Sequence, residues 1–122
     1  MTSELWTWII IGLGGSFGAV TRYALTIWVQ SISSRSFPFA TFLINITGSF
    51  LFGICLGWNH PGPFHFAVTT GFLGGYTTFS TFGVESVELL QKKGWVTAAL
   101  YILLSVSLSL AGVISGYSWS AS

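Results

Sequence analysis

The chain has 122 residues, of which 52% are hydrophobic, 17% aromatic and only 6% charged. Soluble domains carry about a quarter charged residues, so this composition excludes a water-soluble monomer and predicts an integral membrane protein. The formal net charge of +1 offers no basic patch, which excludes a nucleic-acid partner.

Four apolar stretches are long enough to cross a bilayer, which takes about 20 mostly apolar residues. They cover residues 5–29, 39–58, 64–90 and 95–117, and short connections join them. Short connections make neighbouring spans antiparallel, and the whole chain, 1–122, is predicted to form one all-α transmembrane domain in the lipid bilayer of the cell (plasma or inner) membrane.

Basic residues are concentrated in two of these connections. Arg35, Lys92 and Lys93 all lie on the side opposite the two termini. Taken alone, the positive-inside rule would place that side in the cytoplasm, and this concentration departs from the weak charge bias that insertion in both orientations requires.

No group of residues in the sequence indicates enzyme chemistry. His60 and His65 flank a proline turn without an acidic or thiol partner at metal-ligand spacing, and no catalytic triad or phosphate loop is present. The single cysteine, Cys55, cannot form an internal disulfide and is interpreted as a small packing residue. We therefore predict that the protein is not an enzyme.

Small residues recur at the spacing that lets helices pack closely. The pattern occurs in the first, second and fourth spans, as Gly14-x-x-x-Gly18, Gly53-x-x-x-Gly57 and Gly112-x-x-x-Gly116. These motifs predict tight packing within the bundle. Because four short helices cannot easily enclose a polar pathway alone, we also expect a homodimer.

The third span differs from an ordinary membrane helix between Thr70 and Phe82. This stretch contains three glycines and five Thr or Ser hydroxyls, together with Phe79 and Phe82. Glycine lowers helix stability, and hydroxyls offer the backbone competing hydrogen bonds. Backbone groups freed inside a membrane must face protein or a water-filled cavity. We predict that the third helix is broken and that the break faces a functional site.

Two polar residues inside the spans each have two interpretations. Arg22, in the last turns of the first span, either snorkels to the membrane surface or forms a cationic vestibule for anions. Asn45, near the middle of the second span, either makes an interhelical hydrogen bond or lines a pore with its amide donor. The sequence alone leaves both alternatives open.

The last two spans add further polar candidates. Tyr101, Ser105 and Ser109 recur every four residues, which places three hydroxyls on one face of the fourth helix as a polar track. Glu85 is an ionisable residue within the third span and is therefore a candidate functional residue.

Three motifs together resemble the Fluc (CrcB-type) fluoride channels of microbes over the whole chain. The motifs are Gly14-Gly15-x-x-Gly18-Ala19-x-x-Arg22-Tyr23, Thr41-Phe42-x-x-Asn45-x-x-Gly48-Ser49-Phe50 and Thr70-Gly71-Phe72-Leu73-Gly74-Gly75-x-Thr77-Thr78-Phe79-Ser80-Thr81-Phe82-x-x-Glu85. The third motif is the most specific of the three.

The resemblance implies an antiparallel, dual-topology homodimer with two fluoride pathways and a central structural sodium ion. It assigns the sodium to the backbone carbonyls of Gly74 and Thr77. It also assigns residues of all four spans to the fluoride pathway, namely Arg22, Asn45, Phe79, Ser80, Thr81, Phe82, Glu85, Tyr101, Ser105 and Ser109. Such a channel exports fluoride from the cytoplasm down its electrochemical gradient.

Two other functions are compatible with four short spans. A small multidrug/proton exporter needs a membrane-embedded carboxylate, typically in the first span, where the only acid is Glu4 at its very start. A non-transporting assembly subunit would account for the small-residue motifs but not for the polar stretch in the third span.

Overall fold

The computed structural model describes residues 2–33, 37–58 and 62–122. The predicted connection residue Arg35 and the predicted turn residue His60 lie outside these ranges. Within them, every regular element is helical, which confirms the all-α class. The elements are, in chain order, α1 (Thr2–Ile32), α2 (Phe39–Gly57), α3 (Pro63–Phe66), a π-helical segment (Ala67–Leu73), α4 (Gly74–Tyr76), α5 (Phe79–Lys92) and α6 (Trp95–Ala121).

Three of these helices, α1, α2 and α6, are long and apolar enough to cross a membrane. α1 extends past both ends of the predicted span 5–29, and α6 continues beyond residue 117 to Ala121. Many of their large apolar side chains, such as Trp8 and Phe17, lie exposed on the surface of the chain, as lipid-facing side chains do. The chain is therefore a multi-pass membrane protein, as its composition predicts.

The region predicted as the third span is divided into shorter helices. It runs through α3, the π-helical segment and α4, becomes extended at Thr77 and Thr78, and resumes as α5. Local chemistry favours these changes, because the Thr69 hydroxyl donates to the His65 carbonyl at 2.9 Å, and such bonds bend helices. The Thr77 hydroxyl makes the equivalent bond to the Leu73 carbonyl, also at 2.9 Å.

Glycines bring α1 into backbone contact with the first half of this third region. A methyl group added at Gly14 would collide with the Ala67 carbonyl. One added at Gly18 would collide with the Phe72 carbonyl. The predicted Gly14-x-x-x-Gly18 motif therefore forms a packing seam within one chain.

A second glycine seam joins α2 to α6. A Cβ at Gly53 would collide with the Val113 carbonyl, and a Cβ at Gly116 would collide with the Phe50 carbonyl. α6 also contacts α5, so α6 closes the bundle over both α2 and α5.

The reversal between α5 and α6 depends on Gly94. Its φ of 97° lies in the left-handed region, which glycine adopts without a Cβ penalty. The Leu89 carbonyl accepts from the Lys93 N–H at 2.8 Å and from the Gly94 N–H at 3.0 Å, which closes the end of α5. This turn directs α6 back across the bundle, where Tyr101 becomes fully buried.

Candidate functional site

The centre of the candidate site is the extended pair Thr77–Thr78 between α4 and α5. Thr77 has ψ 157° and Thr78 has ψ 116°, so neither continues a helix. Thr78 is the N-cap of α5, since its Oγ1 accepts a hydrogen bond from the Thr81 N–H at 3.2 Å. Threonine is a favoured residue at the start of a helix, so this preference is the sequence signal for the role of Thr78.

Asn45 of α2 binds this extended segment through a pair of hydrogen bonds. Its Nδ2 donates to the Thr78 carbonyl at 3.1 Å, and the Thr78 N–H donates to its Oδ1 at 3.0 Å. The interpretation of Asn45 as a residue that bonds between segments is thus confirmed. A primary amide carries two N–H bonds, and among the described residues Asn45 donates only one of them, so its second N–H is available to another acceptor.

These contacts change the hydrogen bonding of the Gly74 and Thr77 carbonyls. In an α-helix the Gly74 carbonyl accepts from the N–H of Thr78, but that N–H donates to Asn45. The Thr77 carbonyl would accept from the N–H of Thr81, but that N–H donates to the Thr78 side chain. The usual helical donors of both carbonyls are therefore committed elsewhere.

A groove of about 510 Å³ opens beside this segment. It is bordered by α2, the third region and α6, and it collects residues that are far apart in the sequence. Seven of the predicted site residues line it: Asn45, Gly74, Thr77, Phe79, Phe82, Ser105 and Ser109.

The two phenylalanines of the groove differ in exposure. Phe79 is 85% exposed, whereas Phe82 is half-buried and packs on Tyr101 with ring centroids 5.2 Å apart. The Phe79 and Phe82 centroids are 6.2 Å apart with ring planes at 46°. Most of the Phe79 side chain is therefore presented to the surroundings of the chain rather than packed within it.

The predicted polar track on α6 separates into a buried and a groove-lining part. Tyr101 is 0% exposed and is enclosed by the rings of Phe37, Phe42 and Phe82, so it does not line the groove. Ser105 is 5% exposed and lines the groove with Ser109. Within the described part of the chain, the Tyr101 hydroxyl and the Ser105 hydroxyl have no hydrogen-bond partner.

A second cavity of about 530 Å³ is lined by three more of the predicted site residues, two of which are charged. Arg22, Thr81 and Glu85 line it, and Thr78 lines both this cavity and the groove. Three other charged side chains share the cavity, namely Glu88, Lys92 and Lys93. The extended segment thus lies between a mostly apolar groove and a charged cavity.

Thr41 lines the charged cavity although it is not among the predicted site residues, and the predicted residue Ser80 lines neither cavity. Thr41 is buried, lines the charged cavity and lies beside the Glu85 carboxylate, whose Oε1 has no hydrogen-bond partner among the described residues. Thr41 lies one helical turn before Asn45, and this spacing is the sequence signal that points to it. Ser80 is exposed and lines neither cavity.

Apolar membrane-length helices around an interrupted polar segment define a multi-pass membrane protein. The chain belongs to the CrcB family, since residues 9–117 match the model described as CrcB-like protein, Camphor Resistance (CrcB). This confirms the resemblance found in the sequence.

Curated relatives agree with this assignment. The chain is 47% identical over 94 residues to fluoride-specific ion channel FluC 2 of a Bacillus cereus strain, covering 77% of this chain and 80% of that one. It is 44% identical over 112 residues to fluoride-specific ion channel FluC of Shewanella oneidensis, covering 88% and 90%. It is 43% identical over 109 residues to fluoride-specific ion channel FluC 1 of Listeria innocua serovar 6a, covering 89% and 90%. Relatives named as channels confirm that the chain is not an enzyme.

Proposed function

We propose that this protein is a fluoride-selective channel that exports fluoride from the cytoplasm down its electrochemical gradient. The names of relatives at 43–47% identity support this function. The observation that carries it is the groove, which gathers an amide, serine hydroxyls and two phenyl rings from three separate parts of the chain.

The chemistry of the groove suits a small and strongly hydrated anion. A channel must replace the water around its ion with donors that bind weakly enough to release it. The free N–H of Asn45 and the unpartnered hydroxyl of Ser105 supply donors. The weakly positive edges of Phe79 and Phe82 add attraction without strong binding. Larger halides would be excluded by the width of such a path.

A second, antiparallel copy of the chain is proposed to complete the pathway. Phe79 lines the groove and is 85% exposed, so one border of the groove is left uncovered by this chain. A symmetric pair of copies would cover both Phe79 rings and enclose two equivalent pathways, because each copy contributes the same open groove.

A sodium ion is proposed to bind at the Gly74 and Thr77 carbonyls as a structural ion. Both carbonyls have lost their usual helical donors, and the free backbone oxygens of a membrane protein need another partner. Because the Thr77–Thr78 peptide is trans and its N–H points to Asn45, the Thr77 carbonyl points away from Asn45. Two antiparallel copies would present four such oxygens, and oxygen ligands suit a hard cation.

The charged cavity is proposed as the vestibule of the pathway. Arg22, Lys92 and Lys93 line it with Glu85 and would attract anions to its mouth. Thr78 and Thr81 then lead from the vestibule toward the groove. No observation favours the alternative drug/proton exporter, since the only acid of α1 is Glu4 in its first turn.

Fluoride efflux from proteoliposomes tests the proposed function. Vesicles loaded with potassium fluoride or potassium chloride are diluted into halide-free buffer, valinomycin is added, and ion-selective electrodes record the release. We expect fluoride to leave far faster than chloride, and protein-free vesicles to release neither. Equal release of the two halides would reject a fluoride-selective channel.

A further inference from the structure

A second tether, besides the Asn45 amide, holds the interrupted segment against α2. Tyr76 is the last residue of α4, directly before the extended pair, and is 6% exposed. Its hydroxyl lies 2.8 Å from the Thr47 hydroxyl of α2.

The direction of this hydrogen bond follows from the other bonds of Thr47. The Thr47 hydroxyl donates its single proton to the backbone of its own helix, with the Leu43 carbonyl at 2.8 Å and the Ile44 carbonyl at 3.1 Å. Its oxygen can then only accept from a further partner. Tyr76 is therefore the donor, and the bond joins the end of α4 to α2.

The surface of α2 fits the ring of Tyr76 as well as its hydroxyl. A Cβ at Gly48 would lie 3.2 Å from the Tyr76 ring and would collide with the methyl group of Thr77. On its other side the Tyr76 ring stacks on Phe72, with centroids 5.8 Å apart and planes at 13°. Only a glycine at position 48 leaves room for both residues.

Three successive residues of the third region are thus each held by a different residue of α2. Thr47 binds Tyr76, Gly48 receives Thr77, and Asn45 binds Thr78. The Thr78 bond to Asn45 fixes the peptide that carries the Thr77 carbonyl, whereas the Tyr76 bond holds α4, the short helix that begins at Gly74.

We infer that Tyr76 is a positioning residue that holds α4, and with it the Gly74 carbonyl, in place for the proposed cation, acting through its hydrogen bond to Thr47. This inference rests on the proposed sodium site. Loss of the Tyr76 hydroxyl frees the end of α4 to rotate while Asn45 still holds Thr78. The Gly74 carbonyl then samples other directions, because Gly74 and Tyr76 belong to the same short helix, whereas the Thr77 carbonyl stays fixed by the peptide that it shares with the Thr78 N–H. The cation therefore binds less tightly, while the donors of the fluoride groove keep their places.

The test measures the sodium dependence of stability. The thermal unfolding midpoint of purified full-length protein in detergent is recorded while sodium chloride replaces choline chloride at constant ionic strength. Variants Tyr76→Phe and Thr47→Val each remove one end of the bond while retaining shape, and the double variant removes both. Thr47→Ser keeps the acceptor, and Tyr117→Phe makes the same chemical change at an exposed tyrosine of α6.

We expect each single variant to raise the sodium concentration of half-maximal stabilisation by about two- to tenfold, the range for loss of one net hydrogen bond. The double variant should match the single ones, because both delete the same bond. Thr47→Ser and Tyr117→Phe should keep the wild-type midpoint. If Tyr76→Phe does not fold, Thr47→Val reports on the same bond from the other partner.

The possible failures are distinguishable. If the unfolding midpoint of the wild-type protein does not change with sodium concentration, the sodium site is rejected, and with it the basis of the inference. The fluoride efflux experiment tests the channel function independently of that result. A sodium-responsive wild type with an unchanged midpoint in Tyr76→Phe and Thr47→Val would overturn the role of Tyr76 alone. Equal loss of stability at every sodium concentration would show that the bond supports only the fold.

Discussion

Asn45 and Thr78 lie 33 residues apart in the chain and exchange two hydrogen bonds, from Nδ2 to the Thr78 carbonyl and from the Thr78 N–H to Oδ1. The amide therefore replaces the helical partners that the extended segment lacks. These two bonds satisfy backbone groups that have left helical geometry inside a membrane, where no water is available to bond to them.

Removal of the Asn45 amide should weaken the fold. Asn45→Ala leaves the Thr78 N–H without its acceptor, and an unpaired buried donor costs about 1–3 kcal/mol. Thermal or denaturant unfolding in detergent measures the loss, with Ser107→Ala, at an exposed position of α6, as the control. An unchanged unfolding midpoint would show that Asn45 does not hold the segment.

A charge at position 45 should act on conduction more than on the fold. Asn45→Asp keeps an oxygen to accept from Thr78 but loses the Nδ2 donor and places a carboxyl group in the groove. We expect fluoride efflux to fall by at least about tenfold, which corresponds to ~1.4 kcal/mol in the barrier. Efflux at the wild-type rate would remove Asn45 from the fluoride pathway.

The phenyl rings of the groove should control the rate of fluoride movement. Phe79→Ile and Phe82→Ile remove the ring edges, and we expect each to slow fluoride efflux by about tenfold. Phe79 is mostly exposed in the single chain, so its replacement should leave the fold of the subunit intact. Phe17→Ile makes the same change on an exposed face of α1 and should conduct normally; a similar slowing there would indicate a general effect of losing a ring.

Removal of the Ser105 hydroxyl should lower fluoride efflux without lowering the stability of the fold. Its Oγ is buried without a partner among the described residues, so Ser105→Ala removes no bond within the described chain and should leave the unfolding midpoint unchanged or raised. If the hydroxyl donates to fluoride in transit, efflux should fall severalfold. Ser107→Ala again supplies the control. Normal efflux from Ser105→Ala would exclude this serine as a fluoride donor.

The glycine seam between α1 and the third region should tolerate no side chain. Gly18→Ala would drive a Cβ into the Phe72 carbonyl, and overpacking of this kind costs about 1–3 kcal/mol. Gly12→Ala is the matched control on the same helix, since nothing lies within 4 Å of a Cβ there. The yield of folded protein and its unfolding midpoint compare the two variants, and equal stability would contradict close packing at Gly18.

Most of the predicted site residues lie in short motifs of separate spans, and the fold brings these motifs together. Seven of the predicted residues line one groove, and three more, Arg22, Thr81 and Glu85, line the adjoining cavity. Ser80 and Tyr101 are the two predicted residues that line neither cavity. Tyr101 shares a helical face with Ser105, but the rings of Phe37 and Phe42 cover it and separate it from the groove.

The sequence by itself determined the membrane setting, the all-helical class, the glycine seams and the unusual chemistry of the stretch from Thr70 to Phe82. These are local properties of composition and spacing, which a single segment carries wherever it packs. The tertiary structure decided which partners meet: Asn45 with Thr78, Tyr76 with Thr47, and the commitment of two backbone N–H groups away from the Gly74 and Thr77 carbonyls. Such pairings depend on how one helix is placed against another, and no periodicity within a segment encodes that placement.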